Sequence, residues 1–293
     1  SMHGGGFTGS GEDRIKGKAR LRVISHDLIN IEVSSTEMGQ GAHTVLAQIA
    51  SKVLDLDLNK VKVLMPDTKI CPDSGPTVAS RTTMVVGKVI FDCATNLRKR
   101  LLEFGTGENA LKKFFKKHGE VIIESQYKLP PDTHFDDDKM TGDAYPVYSW
   151  GATVADVEVN QTTGEIDIKD IYVSIDCGKT INRTLAEGQV EGGTVQAIGY
   201  STIEYGNYKN GLWNTNGLET YMIPSTKDIP NLHVNFIENK FSYGPFGAKG
   251  LGELPMNGPP PAIANAVSQA VDNAINEIPI KPEKIIETVK SET

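Results

Sequence analysis

The 293 residues carry 39% hydrophobic side chains and a net charge of −7, enough apolar material for one large or two medium cores. Acids and bases are mixed along the chain and no basic stripe stands out, which argues against binding nucleic acid by phosphate neutralisation. No apolar run approaches the roughly 20 residues of a membrane span, and the opening "SMHGGGFTGSGE" has neither the charged nor the apolar part of a signal peptide.

Residues 19–36, "ARLRVISHDLINIEVSST", read as two strands around a polar turn, with alternation in "INIEV". "GQGAHT" then forms the N-terminal loop of a helix whose Leu46, Ile49, Ala50, Val53 and Leu54 fall at helical spacing. "VKVLMP" (61–66) is a short strand. "DSGPTVASRTT" (73–83) is a loop leading into a long helix, with Val85, Val89, Ile90, Cys93, Leu97 and Leu101 on one face and basic residues near its end. Residues 119–127 make another strand. The polar stretch 128–146, "KLPPDTHFDDDKMTGDAYP", is the main composition break.

Beyond it, 148–178 read as a hairpin of two long strands around "TTGE", and 182–206 as a helix rich in small residues. The last helix follows "GPPP" and is expected to run through Ile275, with strand-like "EKIIETV" near the end. Strands and helices interleave with hairpins, so the class is α/β (α+β) with mixed sheets. Two lobes are expected, residues 1–125 and 126–293. The glycine run at 4–6 reads like the middle of a fold, so a piece or split subunit of something larger is expected. Three cysteines, Cys71, Cys93 and Cys177, lack CxxC spacing. That predicts a reducing, cytoplasmic compartment without a disulfide framework or structural zinc.

Glycine is enriched, 29 residues against an average near 7%. Three helices begin after glycine-bearing polar loops, where exposed N–H groups and the helix dipole favour anions. Ser80, Thr82 and Thr83 add hydroxyls, and Gln40 and Gln189 add amides that donate and accept. A ligand with a phosphate and a polar heterocycle matches this inventory without a lysine cluster. "GGGFTG" (4–9) fits GxGxxG but has no strand before it, "GKT" (178–180) lacks the upstream glycine of a phosphate loop, and "DTHFDDD" (132–138) reads as a solvated acidic loop. Cys177 reads as a buried strand-end thiol.

Glu253, in "GAKGLGELPMNGPPP", stands among residues that offer few donors or cations. Two readings are level: a desolvated carboxylate with a raised pKa, useful as a base, or an acid near a helix N-terminus with a lowered one.

"EMGQGAHTVLAQIASKVL", "PTVASRTT", "GQVEGGTVQAIG" and "KGLGELP", in this order, resemble the molybdenum-binding subunit of the xanthine dehydrogenase and aldehyde oxidase family. The resemblance spans nearly the whole chain and corresponds to the C-terminal part of that subunit. It implies a molybdenum hydroxylase using molybdopterin, in some members as its cytosine dinucleotide. Glu253 would take the proton of a metal-bound hydroxyl whose oxygen attacks an electron-poor carbon. By motif, Met38, Gly39, Gln40, Ala79, Ser80, Thr82, Thr83, Gln189 and Gly252 should meet the cofactor, and Phe7, Thr8 and Ala79 the substrate. No protein side chain is expected to bind the metal directly.

Iron–sulfur clusters and FAD are implied on an iron–sulfur subunit and a flavin subunit, beside an N-terminal half of the molybdenum subunit. The expected substrate is a nitrogen heterocycle, a purine such as xanthine or a nicotinate-like ring. An aldehyde, an aromatic acyl-thioester, or a non-catalytic pterin-binding role are the alternatives. The motif reads "GELP" where "GEPP" is common in the family, and the chain has no iron–sulfur cysteine pattern.

Overall fold

The alternation in the first strands does what it predicts in the computed structural model, which describes residues 2–3, 11–217 and 219–290. After a short helix α1 (Gly11–Ile15), strand β1 (Lys18–Val23) turns Ala19, Leu21 and Val23 inward, all fully buried. It pairs antiparallel with β2 (Ile29–Glu32), Leu21 opposite Ile31. Strand β3 (Val61–Val63) adds parallel to β2, and β4 (Val121–Gln126) antiparallel to β1, giving the order β3-β2-β1-β4.

Helix α2 (Ala42–Leu54) and helix α3 (Gly87–Leu101) pack on this sheet, each burying the face predicted for it. Helix α4 (Gly107–His118), not expected from the sequence, closes the same core with Ala110, Leu111 and Phe114. This first hydrophobic cluster draws on residues 19–127.

A second sheet follows. Strand β5 (Trp150–Val159) and strand β6 (Ile166–Asp176) form the predicted hairpin, with a register break between Ile168 and Asp170. Strand β7 (Asn231–Ile237), also unexpected, lies parallel to β6 with Val173 opposite Val234. A parallel neighbour needs a crossover, supplied here by helix α5 (Arg183–Thr202) and the segment 203–230. Helix α6 (Leu254–Asn257) and helix α7 (Pro259–Val271) cover the hairpin, and the second cluster gathers Ile171, Val173, Ile175, Val190, Ile263 and Val267.

Helix α7 opens inside the proline run, because a first-turn residue needs no donor. It ends at Val271, where Asp272 turns left-handed, four residues before the predicted end at Ile275. The strand expected in "EKIIETV" is instead helix α8 (Pro282–Lys290), which buries Ile285. Mixed sheets with packed helices are the class expected. Among the described residues no helix is long and apolar enough to cross a membrane.

Candidate functional site

Between the two clusters lies a cavity of about 480 Å³. One wall comes from the loops before α2 and α3 (Met38, Gln40, Val78, Ala79, Ser80, Thr82 and Thr83). The facing wall comes from the end of β6, the start of α5 (Leu185 and Gln189) and the segment carrying Leu251, Gly252 and Glu253. Nine of the residues singled out from the sequence thus border one space, with Gly39 beside two of them. Phe7 and Thr8 lie outside the described residues, as does all of "GGGFTG".

Each loop is shaped by identifiable local chemistry. Before α2, the Glu37 carboxylate accepts hydrogen bonds from the backbone N–H groups of Gly39 (3.0 Å), Gly41 (3.0 Å) and His43 (2.9 Å). Gly41 is at φ 79°, and a Cβ there would lie 2.6 Å from Leu185 Cδ1, so this close approach of α2 to α5 requires glycine. Gln40 accepts from Met38 N–H and donates to the Thr36 carbonyl, leaving one amide hydrogen and one lone pair for a ligand. The amides at this helix start, expected to attract a foreign anion, are therefore largely taken by Glu37. The start of α5 is likewise capped by Asn182, which accepts from Leu185 N–H. The Gln189 side chain has no hydrogen-bond partner among the described residues and borders the cavity.

Burial works against ionisation of Glu37, but the three N–H donors, His43's foremost, outweigh it and hold its carboxyl below the usual range. A carboxylate with a lowered folded pKa contributes stability that is complete above its unfolded value, about 4.3. That contribution is lost as pH falls through the folded value. We expect Glu37→Ala to cost about 1 kcal/mol near neutrality, the scale of a lost helix cap. Thermal unfolding at a series of pH values should show the gap to wild type shrinking on acidification.

On the same wall, Ala79 and Ser80 both adopt the left-handed conformation, φ 51° and 50°, uncommon for residues with a side chain and frequent at functional loops. Thr82–Val86 then form a π-helical turn leading into α3, which buries Met84, Val85 and Val86 and leaves Thr82 and Thr83 at the cavity. Behind this loop, Arg81 is fully buried. Its guanidinium donates to both carboxylate oxygens of Glu12 (2.5 and 2.8 Å) and to the carbonyls of Ser74 (2.8 Å) and Pro76 (3.0 Å).

Glu253 directly precedes the four-residue helix α6, but its side chain does not cap that helix. Its partner is Ser80: the Ser80 hydroxyl donates to Glu253 Oε2 (2.8 Å) while Ser80 Oγ accepts the Glu253 backbone N–H (3.1 Å). The neighbours in sequence offer few donors, as expected, and the donor is supplied by a distant loop. The donor comes from 173 positions away, where no local spacing announces it. Glu253 is exposed in this chain.

The remaining candidates resolve simply. In "GKT", Lys179 pairs with Glu238 (3.0 Å) and Gly178 bridges to Ala248, while Lys179 and Thr180 also border the cavity. Burial pushes the Cys177 thiol up, away from reactivity. Among the described residues no three metal-binding side chains converge; the cavity's polar lining is amides and hydroxyls together with Lys179, Lys249 and Glu253. Glu37 was missed by sequence reasoning. Its signal is the acid set two and four positions before the amides of Gly39 and Gly41.

The family model of the molybdopterin cofactor-binding domain matches residues 1–230. A Bacillus subtilis protein described as a probable xanthine dehydrogenase subunit is 30% identical over 99% of this chain and 41% of its own length. An aldehyde oxidoreductase of Megalodesulfovibrio gigas is 29% identical over 98% of this chain and 32% of its own. Quinoline 2-oxidoreductase from Pseudomonas putida 86 superposes with a TM-score of 0.80 at 26% identity, over 93% of this chain and 38% of that one. The chain thus spans well under half the length of each.

Proposed function

Because this chain belongs to the molybdopterin cofactor-binding family of xanthine dehydrogenase and aldehyde oxidoreductase type, we propose that it is one part of the molybdenum subunit of a hydroxylase. The substrate is a nitrogen heterocycle, a purine or nicotinate-like ring, and water is the oxygen source. The observation that carries this reading is the Ser80–Glu253 contact on the wall of one cavity bordered by all four motif segments.

The donor set fits a pterin. Gln40 and Gln189 offer amides, Ser80, Thr82 and Thr83 offer hydroxyls, and Met38, Gly39 and Gly252 line the approach where side chains are slim or flexible. The cytosine dinucleotide form of the cofactor is part of the same reading. When bound, the cofactor supplies the redox metal and the two-electron chemistry, which the protein does not have. The chain itself places a base. Ser80 holds Glu253 Oε2, fixes the side chain relative to its own backbone N–H, and leaves Oε1 to accept a proton. Ala79 and the segment holding Phe7 and Thr8 would border the substrate.

The two-lobe division, residues 1–125 and 126–293, is part of this reading, supported by the two separate hydrophobic clusters. So are the further parts: an N-terminal half of the molybdenum subunit, an iron–sulfur subunit with its clusters and a flavin subunit with FAD. The relatives' greater length and their description as subunits support these. Three unpaired cysteines support the cytoplasm.

An aldehyde or aromatic acyl-thioester substrate is the second reading, favoured by the likeness to aldehyde oxidoreductase and by apolar wall residues such as Val78, Leu185 and Leu251. The test is metal analysis of the purified complex with parallel assays on hypoxanthine, nicotinate and benzaldehyde. Molybdenum together with preferred heterocycle turnover is expected. Turnover of benzaldehyde alone moves the assignment to the second reading, and a molybdenum-free complex leaves only a non-catalytic module.

A further inference from the structure

Two ion pairs are buried on both sides among the described residues, and each stands behind one partner of the Ser80–Glu253 contact. Arg81, next to Ser80, is tied to Glu12. Lys249, four residues before Glu253, donates to Asp176 Oδ2 at 2.7 Å, their side chains 3% and 7% exposed. From these placements we infer that the Lys249–Asp176 pair is a positioning device that sets the Glu253 carboxylate against Ser80. The inference rests on the reading of Glu253 as the base.

The local connections run in that direction. Asp176 ends β6, and its other oxygen accepts the N–H groups of Gly178 (3.0 Å) and Asn239 (3.2 Å), so the carboxylate is itself fixed. Lys249 Nζ also donates to the Tyr148 carbonyl (3.2 Å), its backbone N–H bonds the Cys177 carbonyl (2.8 Å), and Ser149 donates to the Gly250 carbonyl (3.1 Å). Residues 248–250 are thereby pinned to the start of β5 and the end of β6. The chain then runs through Leu251 and Gly252, with no regular structure of its own, to Glu253. Near Gly178 the backbones approach so closely that a Cβ there would lie 2.2 Å from the Gly247 carbonyl oxygen.

A buried ion pair is a poor device for stability, since apolar residues of similar volume often serve as well or better. What it adds is direction, because an ammonium between two fixed acceptors tolerates little displacement. Geometry is what a base requires, and a misplacement of about 1 Å can cost on the order of 100-fold in rate.

The test replaces the pair by apolar groups, Lys249→Met with Asp176→Leu, in the assembled holoenzyme. Molybdenum content is expected to stay at the wild-type level, while the Gly178 and Asn239 N–H groups lose their acceptor and lower the thermal midpoint modestly. We expect kcat to fall by about tenfold or more, KM to change little, and amide exchange to quicken over residues 250–257 but not over β1. Should the double variant fail to fold, Asp176→Asn with Lys249→Gln, which keeps an acceptor for Gly178 and Asn239 and leaves no buried charge unpaired, is expected to show the same pattern in milder form. Lys249→Arg should recover part of the rate. Wild-type kcat and exchange in the folded variants would overturn the inference, as would a rate loss that merely follows molybdenum content or thermal midpoint. Exchange over 250–257 reads positioning without turnover, so it stays decisive even if a Glu253→Gln control shows that Glu253 is not the base.

Discussion

Glu253→Gln in the assembled enzyme is expected to lower kcat by about 10²- to 10⁴-fold, the usual worth of a general base, while molybdenum content stays at the wild-type level. Glutamine has nearly the same shape and keeps an oxygen to accept the Ser80 hydroxyl, so the 2.8 Å contact and the loop around it survive. What disappears is the capacity of the free oxygen to take a proton. A loss confined to kcat, with KM little changed, marks an interaction made in the transition state rather than in substrate binding. Steady-state kinetics beside metal analysis of the same preparation checks it, and a variant with wild-type turnover removes Glu253 from the chemistry.

The largest expected change in stability is at the other end of the same contact. Arg81→Met should destabilise the protein by about 3–5 kcal/mol, because the Glu12 carboxylate is left buried without its cation. Both side chains are fully buried, so water cannot replace the guanidinium without opening the core. The carbonyls of Ser74 and Pro76 lose their donor in the same step. Arg81→Met combined with Glu12→Leu should recover most of the loss, since no charge then remains unpaired. Denaturant unfolding of the two variants beside wild type measures both values. Equal stability of Arg81→Met and wild type would show that Glu12 is not held as an anion.

Period decided which elements were legible. Two-residue alternation in β2, β5 and β6 and the helical faces of α2 and α3 could be read directly, because one buried face imposes each pattern. Strand β7 carries the same alternation, Leu232, Val234 and Phe236 inward, but it follows a long irregular segment that hides it. Helix α4 is so rich in lysine that its narrow apolar stripe, Ala110, Leu111 and Phe114, is lost beside α3. In "EKIIETV" the adjacent isoleucines suit either period, and such short apolar runs are ambiguous. Pro282 at the start, Glu283 in the first turn and Ile285 facing inward settle it as helix.

At the site, the glycine-bearing loops and the Glu253 segment brought Gln40, Ser80, Gln189 and Glu253 under suspicion together, and the family resemblance added Met38. The pairing of Ser80 with Glu253, and of Lys249 with Asp176, was not legible. Both join segments far apart in sequence; the first spans the two hydrophobic clusters, and the second forms within the second cluster's own strand end. Glu37 lay within a quoted motif, yet its role depends on Gly39 and Gly41 adopting positive φ, which the residue names allow without requiring.

The cavity draws its walls from residues 38–45, 77–83, 177–189 and 248–253, so no contiguous stretch of the chain owns it. A ribosome must translate well past residue 253 before the segment bearing that glutamate can leave its exit. Any truncation upstream of residue 248 therefore deletes one side of the chamber outright, however well the first core folds. On the proposed reading, a cofactor seated in this cavity would meet its full set of walls only after that last side has emerged.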